Sequence, residues 1–201
     1  MKKRFLVIVA VAVIAASPVQ AGTTDVPRIL VAGDSWGAFM QLLRSLDSAL
    51  PDFGWTGIGQ RGHNTTSVGA RAFSSEDPDP RWLARIQQEL ADYPTIDIVH
   101  LSLGGNDIVF DSFWYPGMSE QAIQARIDGI VGKIAEIVDG ILAIRPNVRV
   151  ALCGYDFGNH PIPGMSISQM NAIWVRFEQA RKEMALAKSP RVFYVHNLGL
   201  M

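Results

Sequence analysis

Only one cysteine, Cys153, occurs in the 201 residues, so no disulfide can form within the chain and its stability has to come from packing. The four histidines, His63, His100, His160 and His196, show none of the spacings of a metal site, and neither metal nor cofactor is expected. Charge is sparse, at 18% of residues, and nearly balanced, with a formal net charge of −1. No basic footprint for nucleic acid exists, which excludes that class of partner. Nor is there an apolar run of the roughly 20 residues that a membrane span needs. The longest, residues 5–16, follows Lys2, Lys3 and Arg4 and precedes the small-residue pattern Val19-Gln20-Ala21. A basic start, a short apolar stretch and a small-residue site are the marks of a cleavable secretory leader. The expectation is a signal peptide over residues 1–21, a secreted or periplasmic protein, and one domain over residues 22–201.

What remains alternates apolar runs with helical periodicities. Residues 28–32, "RILVA", form a continuous apolar run of the kind a strand buried on both faces shows. Phe39, Leu42, Leu43 and Leu46 then repeat at helical spacing up to Pro51. A glycine-rich stretch comes next, with a weakly signalled strand expected near residues 53–59. Asp79-Pro80 is a helix start, and Leu83, Ile86 and Leu90 give that helix an apolar face. "IDIVHLSL", residues 96–103, reads as a strand. Ile123, Ile127, Ile130, Ile134, Ile137 and Ile141 step by four and three through a long helix that ends at Pro146. "VRVALC" is another strand, Met170, Ile173, Trp174 and Phe177 mark another helix, and "RVFYVH" is the last apolar run. Strands separated by crossover helices imply a three-layer α/β/α sandwich around a mainly parallel, flavodoxin-like sheet of about five strands. Such sheets carry their chemistry at the carboxyl ends of the strands, so the residues just after each strand are the ones to inspect.

After the first strand stands Gly33-Asp34-Ser35-Trp36-Gly37. A glycine relieves the tight corner, and a serine at a helix N-terminus is raised above the sheet edge among N–H groups that can face an oxyanion. Ser35 is thus a candidate nucleophile, although Ser35 or Asp34 could equally be an ordinary helix cap. After the third strand comes Gly104-Gly105-Asn106-Asp107, where the Asn106 amide could donate to a developing negative oxygen, or the four residues could simply make a turn. Asp34 is read as a brace for its corner and Asp107 as a cap, neither with a proton-transfer role. Between them "RGHNTTSVGARA", residues 61–72, offers Gly62 and Gly69 as sources of a backbone N–H. The aromatic stretch at residues 110–118 either lines a pocket or covers the sheet edge.

These blocks, in this order and at these intervals, resemble the SGNH (GDSL) hydrolase family over roughly residues 28–198. Trp36 stands where the family name has leucine. The resemblance implies an esterase or lipase with Ser35 as nucleophile, no cofactor, and a small-molecule ester as substrate. It also implies an oxyanion hole formed by the Ser35 N–H, a glycine N–H and the Asn106 side chain. Gly69 is the favoured glycine, because "SVGARA" is more like the family's block than the sequence around Gly62.

An acyl-transfer serine needs a base and the base an orienting carboxylate. The family draws both from an Asp-x-x-His block, but here Phe193 stands three places before His196, and Met201 comes five residues later. The expectation is a chain truncated ahead of its acid/base segment, with His196 a structural residue of the last strand. His63 and His160 are substitute bases in loops, and His100 lies inside a strand. Gly33-x-Ser35-x-Gly37 also spells a nucleophile elbow, yet too little chain precedes it for the strands that fold requires. The alternative outside enzymology is a flavodoxin-like module, without acid/base residues, that binds a small ligand at its glycine corners.

Overall fold

The computed structural model describes residues 26–62, 65–67, 70–72, 80–109, 114, 116–156 and 165–198. Its elements run β1 (Val26–Gly33), α1 (Ser35–Leu43), α2 (Ser45–Ala49), β2 (Ile58–Arg61), α3 (Pro80–Asp92), β3 (Ile98–Ser102), α4 (Gly105–Val109), α5 (Glu120–Ile144), β4 (Arg149–Cys153), α6 (Ile167–Ala187) and β5 (Val192–Val195). The five strands form one sheet in the order β2-β1-β3-β4-β5, every pair parallel. This is the doubly wound, flavodoxin-like arrangement that the alternating pattern predicts.

Strand order explains where the helices lie. The chain leaves β1 in one direction to make β2, then crosses back over β1 to make β3 and continues outward to β4 and β5. Right-handed crossovers therefore put α1 on one face and α3, α5 and α6 on the other. The reversal falls between β1 and β3, and a crevice opens there above their carboxyl ends.

The second face is the core. In α5 the isoleucines at 123, 127, 130, 134, 137 and 141 are all buried, as the four-and-three stepping predicts. Ser119 caps that helix by accepting the Ala122 N–H at 3.1 Å. Ser166 and Gln169 form a reciprocal capping box on α6. In β4 Val150 and Leu152 are fully buried, whereas Arg149, Ala151 and Cys153 on the α1 side are half-buried.

Two expectations change. Strand β2 starts at Ile58, later than the stretch 53–59, because Leu50–Phe53 form a 3-10 turn closed by Gly54 in the left-handed region, leaving Phe53 and Trp55 exposed. The apolar positions of α1 do not face the core either. Phe39, Leu42 and Leu43 are exposed, and the residue of α1 that is buried is Gly37. A Cβ at Gly37 would stand 3.2 Å from both Ser102 Oγ and Thr66 Cγ2. The helix thus meets the sheet through its smallest residue, which turns its large side chains outward.

Among the described residues, no helix is long and apolar enough to cross a membrane. The leader expected over residues 1–21 lies outside the described residues.

Candidate active site

Three backbone bends meet at the carboxyl ends of β1 and β3. The first is at Gly33, whose φ of 130° is rarely open to an L side chain, and where a Cβ would lie 1.7 Å from the Ser102 carbonyl oxygen. Only glycine allows β1 to come that close to β3 before turning into α1. The next amide, of Asp34, donates to that same carbonyl at 2.8 Å. Asp34 is the helix cap: its carboxylate accepts the Trp36 N–H at 3.1 Å. Ser35, first residue of α1, is thereby freed from capping. It is partly exposed on the positive end of the helix dipole.

The loop after β2 supplies the second bend. Gly33 N–H donates to the Thr65 carbonyl and Ser67 N–H donates back to the Gly33 carbonyl, each at 2.9 Å, so this loop adds to the sheet beside β1. The third bend is α4, whose start at Gly105 puts Asn106 in its first turn. Asn106 is buried and donates through Nδ2 to the Ala70 carbonyl at 2.9 Å. A primary amide carries two N–H donors, and this bond occupies one of them. Asp107, fully buried, accepts the Ala72 N–H at 2.8 Å, so it ties α4 to the second loop. Trp114, from the aromatic stretch, is buried and donates to the Asp107 carbonyl at 3.2 Å.

The segments of Ser35 and Asn106 are thus joined by hydrogen bonds. Gly69 lies outside the described residues, but Ser67 and Ala70 on either side of it are bonded to Gly33 and Asn106 respectively. Gly62 is placed lower: a Cβ there would stand 2.5 Å from the Val31 carbonyl oxygen, and its own carbonyl accepts the Thr65 N–H and the Thr66 hydroxyl as the pivot of the turn.

Two of the four histidines are described. His100 is buried in mid-strand with Nδ1 unpartnered, and burial pushes its pKa down to about 4. It stands two residues before the end of β3, beneath the crevice. His196 is exposed just past β5, three strand spacings or about 14 Å across the sheet from β1. Neither is beside Ser35. His63 and His160 lie outside the described residues. Among the described residues, no cluster of His, Cys, Asp or Glu could hold a metal ion.

Sequence reasoning missed a buried network directly behind the serine. Asp34 is almost wholly buried, and burial raises its pKa against the hydrogen bonds it accepts from Tyr155, Trp36 and Ser102. Tyr155, two residues after β4, donates its phenol to Asp34 Oδ2. Arg181 of α6, fully buried, donates to Glu178 Oε1 at 2.7 Å and to the Cys153 carbonyl at 2.5 Å, and its guanidinium carbon stands 5.0 Å from the Tyr155 ring centre. The same inspection of strand ends that singled out Ser35 and Asn106 would have found Tyr155, had it been applied to β4 with equal weight.

The sandwich, its strand order and its crevice define the class: an α/β protein with a crevice at the switch point of a parallel sheet. Solved structures narrow it. The chain is similar to a lipase from a goat rumen metagenome, at 13% identity over 85% of this chain and 79% of that one, with a TM-score of 0.55. It is also similar to a carbohydrate esterase of family 3 from Talaromyces cellulolyticus, at 16% identity over 86% and 79%, with a TM-score of 0.53. An acetyl esterase variant solved with an acetate ion gives 16% identity over 86% and 79%, and a TM-score of 0.51. No protein-family model and no curated protein sequence matches the chain. The fold is that of the SGNH (GDSL) hydrolases.

Proposed function

We propose that this protein is a serine hydrolase that cleaves carboxylic esters of small molecules, acyl lipids or acylated carbohydrates, through an acyl-enzyme on Ser35. The observation that carries this reading is the hydrogen-bonded union of the Ser35 corner, the loop after β2 and the Asn106 turn at one sheet edge. The Ser35 hydroxyl attacks the ester carbonyl. The tetrahedral oxyanion receives hydrogen bonds from the Ser35 N–H, the Gly69 N–H and the free N–H of Asn106, which stabilise the charge as it develops. Collapse of the intermediate breaks the C–O bond, releases the alcohol and leaves an acyl-serine that water hydrolyses. A base takes the serine proton and returns it to the departing alcohol, and His63 and His160, in the loops after β2 and β4, are the candidates the sequence offers. The likeness of the fold to a lipase and a carbohydrate esterase supports the ester as substrate class. The basic-apolar-small start of the chain supports export, with cleavage after Ala21.

The test is hydrolysis of p-nitrophenyl acetate by the full chain and by Ser35→Ala, together with labelling by a fluorophosphonate that phosphonylates activated serines. Turnover and label are expected on the natural chain, and both vanish in the variant. Undiminished turnover by Ser35→Ala, or neither turnover nor label on the natural chain, overturns the reading.

A further inference from the structure

Outside the three bends, a buried polar cluster surrounds Tyr155. Its hydroxyl donates to Asp34 Oδ2, and its ring lies against the Gly105 backbone. The first partner caps the helix that begins with Ser35, and the second opens the helix that carries Asn106. The second contact is close: a Cβ built on Gly105 would lie 2.6 Å from Tyr155 Cε1. Only a residue without a side chain lets the phenol lie against that backbone.

The ring is itself held. Trp174 packs on it at 5.6 Å between centres, and Arg181 approaches it at 5.0 Å while bonded to Glu178. All of these side chains are buried, with α6 behind Tyr155 and the two helix starts in front. A tyrosine fixed from behind, bonded forward to one backbone bend and packed against another, acts as a spacer between them.

We propose that Tyr155 is a positioning residue for the Ser35 chemistry: through Asp34 and Gly105 it sets the separation of the Ser35 hydroxyl from the Asn106 amide. The inference rests on the hydrolase reading of the site. Tyr155 does not touch the ester. Its loss alters alignment in the transition state and leaves ground-state binding of substrate almost as it was. Misplacement by about 1 Å at a reacting centre costs up to about a hundredfold in rate.

The experiment measures kcat and KM on p-nitrophenyl acetate for the full chain, Tyr155→Phe, Asn106→Ala and the double variant, with Ser35→Ala as the reference for background. Tyr155→Phe is expected to lower kcat by about tenfold to a hundredfold, with KM within about twofold. In the Asn106→Ala background the same change is expected to cost much less, since the donor it aligns is gone. Tyr194→Phe is the structural control. It removes a similar phenol from Glu178 in the neighbouring half of the network and leaves the Asp34 bond intact, so kcat should stay at the natural value.

Three results overturn the inference: an unchanged kcat in Tyr155→Phe, equal losses in the two backgrounds, or an equal loss from Tyr194→Phe. If Tyr155→Phe does not fold, Gly105→Ala presses on the same contact from the other side, and the same division between kcat and KM is expected. A Ser35→Ala variant that keeps full turnover sinks the hydrolase reading itself, whereas an unaffected Tyr155→Phe beside an inactive Ser35→Ala sinks only the role of Tyr155.

Discussion

Replacing Asn106 by alanine separates a structural bond from a catalytic one, because the two have different magnitudes. The structural loss is a single hydrogen bond, Nδ2 to the Ala70 carbonyl at 2.9 Å, at a buried residue. A bond of this kind contributes about 1 kcal/mol net, and leaving the carbonyl unpaired raises the cost to about 1–3 kcal/mol. In a chain of this size each kcal/mol moves the melting temperature by about 2–4 °C. A drop of about 2–12 °C in a melt followed by circular dichroism is therefore expected. The catalytic loss is larger. Removing one oxyanion donor costs about 2.7–4 kcal/mol of transition-state stabilisation, or about a hundredfold to a thousandfold in kcat. Measured at 25 °C, where the variant is fully folded, p-nitrophenyl acetate turnover should fall by that factor while KM changes little. A variant that melts lower yet retains more than about a fifth of the natural kcat would show that Asn106 only ties down the loop at Ala70, and the oxyanion assignment would be lost.

His100 makes stability depend on pH. Its folded pKa of about 4 lies below the usual 6.5, so the unfolded chain binds its proton first, and the folded state loses stability as pH falls from about 6.5 towards 4. The loss approaches about 3 kcal/mol at the lower end, and urea unfolding at pH 7 and pH 4.5 should show a smaller difference for His100→Gln than for the natural chain. Equal differences would mean that this imidazole is not held neutral. Ile134→Ala empties a fully buried site in the middle of α5 and should cost about 2–5 kcal/mol in urea unfolding, with a loss below 1 kcal/mol contradicting its place in the core.

The element order was legible in the chain because its signals are local. A helix repeats every 3.6 residues and a buried parallel strand is a short continuous apolar run, so the isoleucine ladder of α5 and the runs of β1, β3, β4 and β5 stand out without knowledge of the partners they pack on. The glycine corners were legible for the same reason, since backbone that must turn sharply after a strand needs glycine on the spot. Local signals misled at α1. Its apolar positions have helical spacing, but spacing cannot say which side of a helix meets the sheet. Gly37 decides that by approaching Ser102 and Thr66.

Long-range contacts belong to the tertiary structure alone. The Asn106 bond to Ala70 spans 36 residues and the Tyr155 bond to Asp34 spans 121. No periodicity carries such a distance. Asp34 and Tyr155 become neighbours because β1 lies next to β3, and β3 next to β4, an order set by crossover handedness and by which apolar faces bury one another. The sequence by itself determined that strands alternate with helices and that glycine-flanked bends carry a serine and an asparagine. Folding decided that those bends share one edge, and that a buried phenol stands between them.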